Sequence, residues 1–296
     1  MQTLAQIRAL LEEAGLSPRR MFGQNFLIDL NLMNKVLELA DVDPSQPVLE
    51  VGPGTGSLTE ALLETGAKVV AVEIDRGLHA LLANRFADRP NIRLIHADIL
   101  AGKHAVNPAV LGELGSAAQL VSNLPYNIAT PLVAQCLLDT WSAMHGESGL
   151  CRFSRLTFTV QLEVAQRMSA GPGDEEYGPI SVLAGLLGRM TVGPVIPATA
   201  FWPQPKVNSR ILRIDFDEQA ADRIKNAADL AQIIFLAFNQ RRKQIGPILQ
   251  RRLEGATGAD VEAALKLAGV EPQQRAQSIK PEQFMLIANS LPQTPR

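Results

Sequence analysis

Apolar positions in the first 170 residues follow two rhythms. Short runs at 47–51 (PVLEV), 68–74 (KVVAVEI), 91–96 (NIRLIH), 119–122 (QLVS) and 156–160 (LTFTV) read as strands, the second β-branched and bounded by Gly66 and Asp75. Between them the apolar spacing is helical, as at Leu58, Ala61 and Leu62 and again at Leu78, Leu81 and Leu82. Strands alternating with helices predict βαβ units and a parallel sheet covered on both faces. The rhythm changes after about residue 190. Segments 190–196 and 207–214 read as two more strands, joined through the proline-rich FWPQP at 201–205, and they suit an antiparallel edge on the sheet. Beyond Asp217 the pattern is helical throughout, over 228–239, 243–253, 259–268 and 281–291. The expected organisation is a Rossmann-like α/β domain over 1–217, with a helical extension at 1–30, and a small all-α domain over 218–296. Residues 141–153, with Gly146 and Gly149, read as a surface loop.

Composition narrows the classes. With 46% hydrophobic and 20% charged residues in 296, the chain can bury a sizeable core, so global disorder is excluded. No run reaches 18 apolar residues and the first twenty lack a signal-type apolar core, which predicts a cytoplasmic protein. Cys136 and Cys151 are the two cysteines, too few for a disulfide framework or a zinc site, and they suit a reducing compartment. Net charge is −2, yet residues 203–252 carry ten basic side chains against five acidic ones. That imbalance fits a phosphate-binding surface or a solvated helical face.

Two groups of residues carry chemistry. Glu50-Val51-Gly52-Pro53-Gly54-Thr55-Gly56 falls at the first strand-to-helix turn. Glycines there let the backbone approach a ligand, and the helix start offers free N–H donors. The spacing is G-x-G-x-G and departs from the dinucleotide G-x-G-x-x-G. Glu73 ends the second strand, where a carboxylate can accept from ribose hydroxyls, and Asp98 follows the third, within reach of an adenine amine. Each acid taken singly is also an ordinary helix cap. Together they suggest an adenosine-bearing ligand, and Glu50 with no second dinucleotide half favours S-adenosylmethionine (SAM) over NAD. The other group is Asn123-Leu124-Pro125-Tyr126, at the end of the fourth strand. Asn supplies a neutral acceptor and Tyr a flat face for stacking, while Pro stiffens the turn. An acceptor beside a stacking ring suits adenine, although Asn-x-Pro also forms plain turns.

In order along the chain, FGQNFL at 22–27, Glu50–Gly56, VEID at 72–75, ADI at 97–99, NLPYNI at 123–128, Tyr177-Gly178, FWPQPKVNS at 201–209, AFNQRRK at 237–243 and Arg275-Ala276 resemble the rRNA adenine N6,N6-dimethyltransferase family, its bacterial small-subunit members above all. The resemblance implies that Asn25 and Leu27 close over SAM, that Gly52 and the neighbouring Gly54, Glu73 and Asp98 hold it, and that Asn123 touches both SAM and the target base. It implies 16S rRNA within an immature 30S subunit as the partner, with two adjacent adenines of the 3′-terminal hairpin loop each methylated twice and S-adenosylhomocysteine released. A monomer is expected. We expect the Asn123 side-chain carbonyl and the Leu124 main-chain carbonyl to accept the two amine hydrogens, Tyr126 to stack on a flipped base, and Phe201 or Trp202 to cover its other face. Lys206, Arg241, Arg242 and Lys243 would hold RNA phosphates, with no metal involved. Leu162, Gln244 and Gln277 depart from the family pattern, and the segments 107–118 and 141–153 look long. The rival readings are a large-subunit rRNA methyltransferase of the macrolide-resistance type, a non-catalytic ribosome-assembly or transcription factor on the same fold, and a NAD oxidoreductase.

Overall fold

A computed structural model describes residues 1–19, 23–102, 105–253 and 255–292; Phe22, the first residue of the FGQNFL motif, lies outside them. The chain runs α1 (Leu4–Glu13), β1 (Phe26–Leu27), α2 (Leu30–Ala40), β2 (Val48–Val51), α3 (Ser57–Glu64), β3 (Val69–Glu73), α4 (Arg76–Arg85), β4 (Ile92–His96), α5 (Pro108–Leu114), β5 (Ala117–Asn123), α6 (Ala129–Met144) and β6 (Arg152–Gln161). It continues through α7 (Leu162–Ser169), α8 (Pro179–Leu187), β7 (Gly188–Ile196), β8 (Phe201–Trp202), β9 (Ser209–Phe216), α9 (Glu218–Ala221), α10 (Ala227–Asn239), α11 (Ile245–Arg252), α12 (Gly258–Leu267) and α13 (Pro281–Ser290).

Seven strands form one sheet in the order β4-β3-β2-β5-β6-β9-β7. The pairs β2–β3, β3–β4, β2–β5 and β5–β6 are parallel, and β9 is antiparallel to β6. The expected parallel sheet with an antiparallel edge is therefore the fold. β2 and β3 are buried at every position, as strands covered on both faces must be. The chain steps outward from β2 to β4 and then returns to lay β5 on the other side of β2. That reversal opens a crevice at the carboxyl ends of β2 and β5, where open α/β sheets bind ligands.

The chain divides into two compact units, Met1–Ala165 with Thr191–Asp215, and Gln166–Met190 with Phe216–Arg296. In the first, Asp29 and Asp75 start α2 and α4 by accepting two backbone N–H groups each. A core of aliphatic residues from β2, β3 and α3 continues to Met33 and Val36 of α2 and to Phe201. The second unit is helical, with α10 and α13 packed on each other and on α8. It includes residues 166–190, which the sequence pattern assigns to the first. The buried face of α8 on α10 and α13 holds it there, and Tyr177 adds to it: its ring meets Phe238 edge-on at 5.6 Å and its hydroxyl donates to the Ile279 carbonyl at 2.9 Å.

Two local expectations are corrected. The stretch 141–153 is not one loop, because α6 runs on to Met144 and β6 begins at Arg152. Gly146 and Gly149 do turn the chain between them, with φ of 90° and 81°, while the buried Trp141 and Phe153 at the two ends belong to the helix and the strand. The proline-rich connection at 201–205 also contains a strand, β8, which pairs antiparallel with β1 through Phe26↔Trp202 and Leu27↔Phe201.

Candidate active site

A cavity of about 160 Å³ lies at the crevice between β2 and β5, all within the first unit. Its walls include Asn25, Leu27, Gly52, Gly54, Glu73, Asp98 and the whole of Asn123-Leu124-Pro125-Tyr126. The fold thus brings together every residue expected at the cofactor and methyl-transfer positions.

The glycine turn is shaped by backbone geometry. Gly52 and Gly54 have φ of 69° and 61°, in the left-handed region that side chains other than glycine avoid. A Cβ on Gly52 would sit 3.2 Å from Pro125 Cγ, so the turn and the Asn-Leu-Pro-Tyr segment are in close approach. Gly54 N–H donates to Glu73 at 3.3 Å and Asp75 N–H to its other oxygen at 2.9 Å. Each Glu73 oxygen keeps a lone pair for a ligand hydroxyl. Asp98 is exposed and accepts from Leu100 N–H at 3.0 Å.

Two carboxyls in this wall are buried. Glu50 is 2% exposed and Glu73 4%. Burial pushes Glu50 up to about 8, with the nearby Glu73 charge adding to it, and pushes Glu73 up to about 7. Thr59 lies close enough to offset part of the effect on Glu50, yet neither Glu50 Oε2 nor Thr59 Oγ1 has a hydrogen-bond partner. A buried orphan carboxyl oxygen, a second buried carboxyl and a backbone cradle suit a ligand bearing hydroxyls, and a positive charge beside them would draw both acids toward their ionised forms. SAM carries both, so the residues present fit it.

Asn123 is fixed on both sides of its carboxamide. Its Nδ2 donates to the Asn25 carbonyl at 3.0 Å, and its Oδ1 accepts from the Thr159 hydroxyl. Tyr126 is half-buried and its hydroxyl meets Ser209 Oγ at 2.8 Å, so the ring cannot swing freely. Burial raises the Tyr126 pKa and keeps the phenol neutral. Thr159 and Ser209 escape a reading of the sequence because neither belongs to a motif. Gln2 escapes it too: its side chain bonds Thr55 twice, at 2.6 and 3.1 Å, and braces the glycine turn.

Phe201 is a correction. Its ring is 2% exposed, packs in the aliphatic core and forms no part of the cavity wall. The β1–β8 pairing turns it inward, so it has no face to offer a base. Trp202 is half-buried, stacked on Phe26 at 6.2 Å with the Arg8 guanidinium over its ring at 5.2 Å. Lys206 is exposed in the first unit, and Arg241, Arg242 and Lys243 are exposed in the turn after α10 in the second. The basic run is therefore divided between the units, and Arg213 within it is held by Asp215 at 2.8 Å. Among the described residues no cluster of His, Cys, Asp or Glu could hold a metal ion, and no helix is long and apolar enough to cross a membrane.

A glycine-rich turn, an acidic strand end and a polar tetrapeptide, set at the switch point of a mostly parallel sheet with an antiparallel edge, define a class I methyltransferase. The structure of the 23S rRNA methyltransferase ErmE superposes with a TM-score of 0.61 at 28% identity, covering 90% of this chain and 99% of that one. A dimethyladenosine transferase from Plasmodium falciparum shares the fold, with a TM-score of 0.64 at 21% identity over 88% of this chain and 94% of that one. Within the class, the chain belongs to the ribosomal RNA adenine dimethylase family, whose model matches residues 15–293. It is 35% identical over 298 residues to ribosomal RNA small subunit methyltransferase A of Shouchella clausii, covering 99% of this chain and 96% of the relative. Its identity to the protein of the same name from Phenylobacterium zucineum is 37% over 291 residues, 98% and 94% of the two chains.

Proposed function

We propose that this chain uses SAM to dimethylate N6 of two adjacent adenines in the 3′-terminal hairpin loop of 16S rRNA. It would act as a cytoplasmic monomer on an immature 30S subunit and contribute to small-subunit biogenesis. The observation that carries this reading is Asn123-Leu124-Pro125-Tyr126, held against the glycine turn in a cavity whose other wall has Glu73 and Asp98. The small-subunit names of relatives at 35–37% identity support the choice of substrate.

Adenine N6 is a poor nucleophile because its lone pair is delocalised into the ring. SAM, when bound, supplies an electrophilic methyl group on a sulfonium. Catalysis then needs alignment of the amine, which can contribute about 7–11 kcal/mol in favourable cases. Asn123 Oδ1 has one lone pair taken by Thr159 and one left, enough for one amine hydrogen. In the first transfer the Leu124 main-chain carbonyl takes the other, and the nitrogen lone pair stays directed away from the protein acceptors. The C–S bond breaks as the N–C bond forms, the thioether product S-adenosylhomocysteine leaves, and the methylated nitrogen releases its proton to water. Neutral acceptors favour the positive charge that develops on nitrogen without binding a proton themselves. Tyr126 stacks on the flipped base, and its hydroxyl, anchored to Ser209, keeps the ring in place. Glu73, Asp98 and the turn at Gly52 and Gly54 bind the cofactor, with Asn25 and Leu27 closing over it. Arg241, Arg242, Lys243 and Lys206 take RNA phosphates, giving salt-sensitive affinity.

The test is transfer of labelled methyl groups from SAM to unmethylated 30S particles, with 23S rRNA in parallel and the modified adenines mapped. Asn123→Ala should abolish transfer while SAM still binds. Wild-type turnover by that variant would sink the role of Asn123, and preferential labelling of 23S rRNA would move the protein to the large-subunit class.

A further inference from the structure

Asn123 poses a problem of orientation that its own chemistry leaves open. A carboxamide has an acceptor and a two-hydrogen donor of nearly equal size, so turning it over costs little unless its neighbours tell the ends apart. The neighbours here do. The Asn25 carbonyl can only accept, and it meets Nδ2 at 3.0 Å. On the other side stands Thr159, the register partner of Asn123 in the parallel β5–β6 pair. Thr159 is 0% exposed and lines the same cavity, and its hydroxyl donates to Asn123 Oδ1. Register partners on parallel strands point to one face of the sheet, so this contact is built into the strand pairing.

We propose that Thr159 is a positioning residue for methyl transfer: its buried hydroxyl holds the Asn123 carboxamide so that an acceptor lone pair, and not an N–H, faces the adenine amine. The inference rests on the reading of Asn123 as the amine acceptor. If the amide turned over, Oδ1 would confront the Asn25 carbonyl, two acceptors with no proton between them, Nδ2 would confront the amine hydrogens, and the Thr159 hydroxyl would have to rotate from donating to Oδ1 to accepting from Nδ2. The hydroxyl also uses one of the two lone pairs on Oδ1, so Asn123 accepts a single amine hydrogen and the second must go to Leu124.

Thr159→Val keeps the branched shape and removes the hydroxyl; Thr159→Ser keeps the hydroxyl. Single-turnover methyl transfer to unmethylated 30S particles is measured for both, with SAM affinity by calorimetry and particle affinity by filter binding. Thr159→Val should lower the rate of transfer by at least about tenfold, the loss that follows from 1.4 kcal/mol of misalignment. Both affinities should stay within about threefold of the parent, and Thr159→Ser should recover most of the rate. Wild-type transfer by Thr159→Val, or a Thr159→Ser chain as slow as Thr159→Val, would overturn the proposal. Should Thr159→Val fold poorly, Thr159→Ala must show the same rate loss. Asn123→Ala alone separates the two levels: if it transfers normally the underlying reading fails, and if it is dead while Thr159→Val is normal only this proposal fails.

Discussion

Glu50→Gln should make the protein more stable at pH 8 while leaving it nearly unchanged at pH 5. Glu50 is 2% exposed, its Oε2 has no partner, and burial lifts its pKa from an ordinary 4.5 to about 8. The groups around it relieve this only in part: Thr59 offsets some of the burial, while the nearby Glu73 is itself buried and acidic and adds to it. Between pH 4.5 and about 8 the folded chain keeps a proton that the unfolded chain has lost. Stability therefore falls as pH rises through that window, by about 1.4 kcal/mol per pH unit for one proton. Across the whole window this reaches about 5 kcal/mol, comparable to the stability of many domains. Gln has no proton to lose, so the variant should exceed the parent by about 2–5 kcal/mol at pH 8 and match it within about 1 kcal/mol at pH 5. Urea unfolding followed by circular dichroism at pH 5, 6.5 and 8, without ligand, measures both. Parallel pH slopes for parent and variant would refute the reasoning, because they would mean that Glu50 is already ionised in the folded protein near neutrality.

Tyr126→Ala should lose the stacking face, worth about 1–3 kcal/mol per base, whereas Tyr126→Phe should keep most activity and lose only the tie to Ser209; equal activities in the methyl-transfer assay would remove stacking from the mechanism. Arg241→Glu combined with Arg242→Glu should weaken 30S binding and flatten the slope of log affinity against log salt, by about 0.7–0.9 for each phosphate no longer neutralised. A titration series from low to moderate salt checks this, and an unchanged slope would make the turn after α10 a solvated face. Gly54→Ala should lower stability by about 1–2 kcal/mol from the left-handed backbone alone, and more because the new Cβ would lie 2.8 Å from Phe26 Cε1; thermal unfolding and SAM calorimetry should both show the loss.

Much of this protein was legible in one dimension. Apolar runs at 48–51, interrupted by Glu50, and at 69–72 mark strands buried on both faces, and a run of that kind fits a parallel sheet. The glycine turn, Glu73, Asp98 and the Asn-Leu-Pro-Tyr segment could be picked out because turn chemistry and strand ends are local properties. Pairings between distant residues could not. That β5 returns to lie beside β2 puts Asn123 within reach of the glycine turn, and no periodicity encodes a strand order. Phe201 looked like a stacking ring because aromatic character is visible in sequence while the face it points to is not; pairing with Leu27 turns it into the core. The segment 166–190 joins the helical unit because α8 packs on α10 and α13, and Tyr177 finds Phe238 some sixty positions away. Thr159 and Ser209 acquire meaning only from what stands opposite them. Local order along the chain was enough for the elements, the chemistry on offer and the family. Which groups share a cavity was settled by the folded chain, since hydrogen bonds there join residues about a hundred positions apart, such as Asn123 and Asn25.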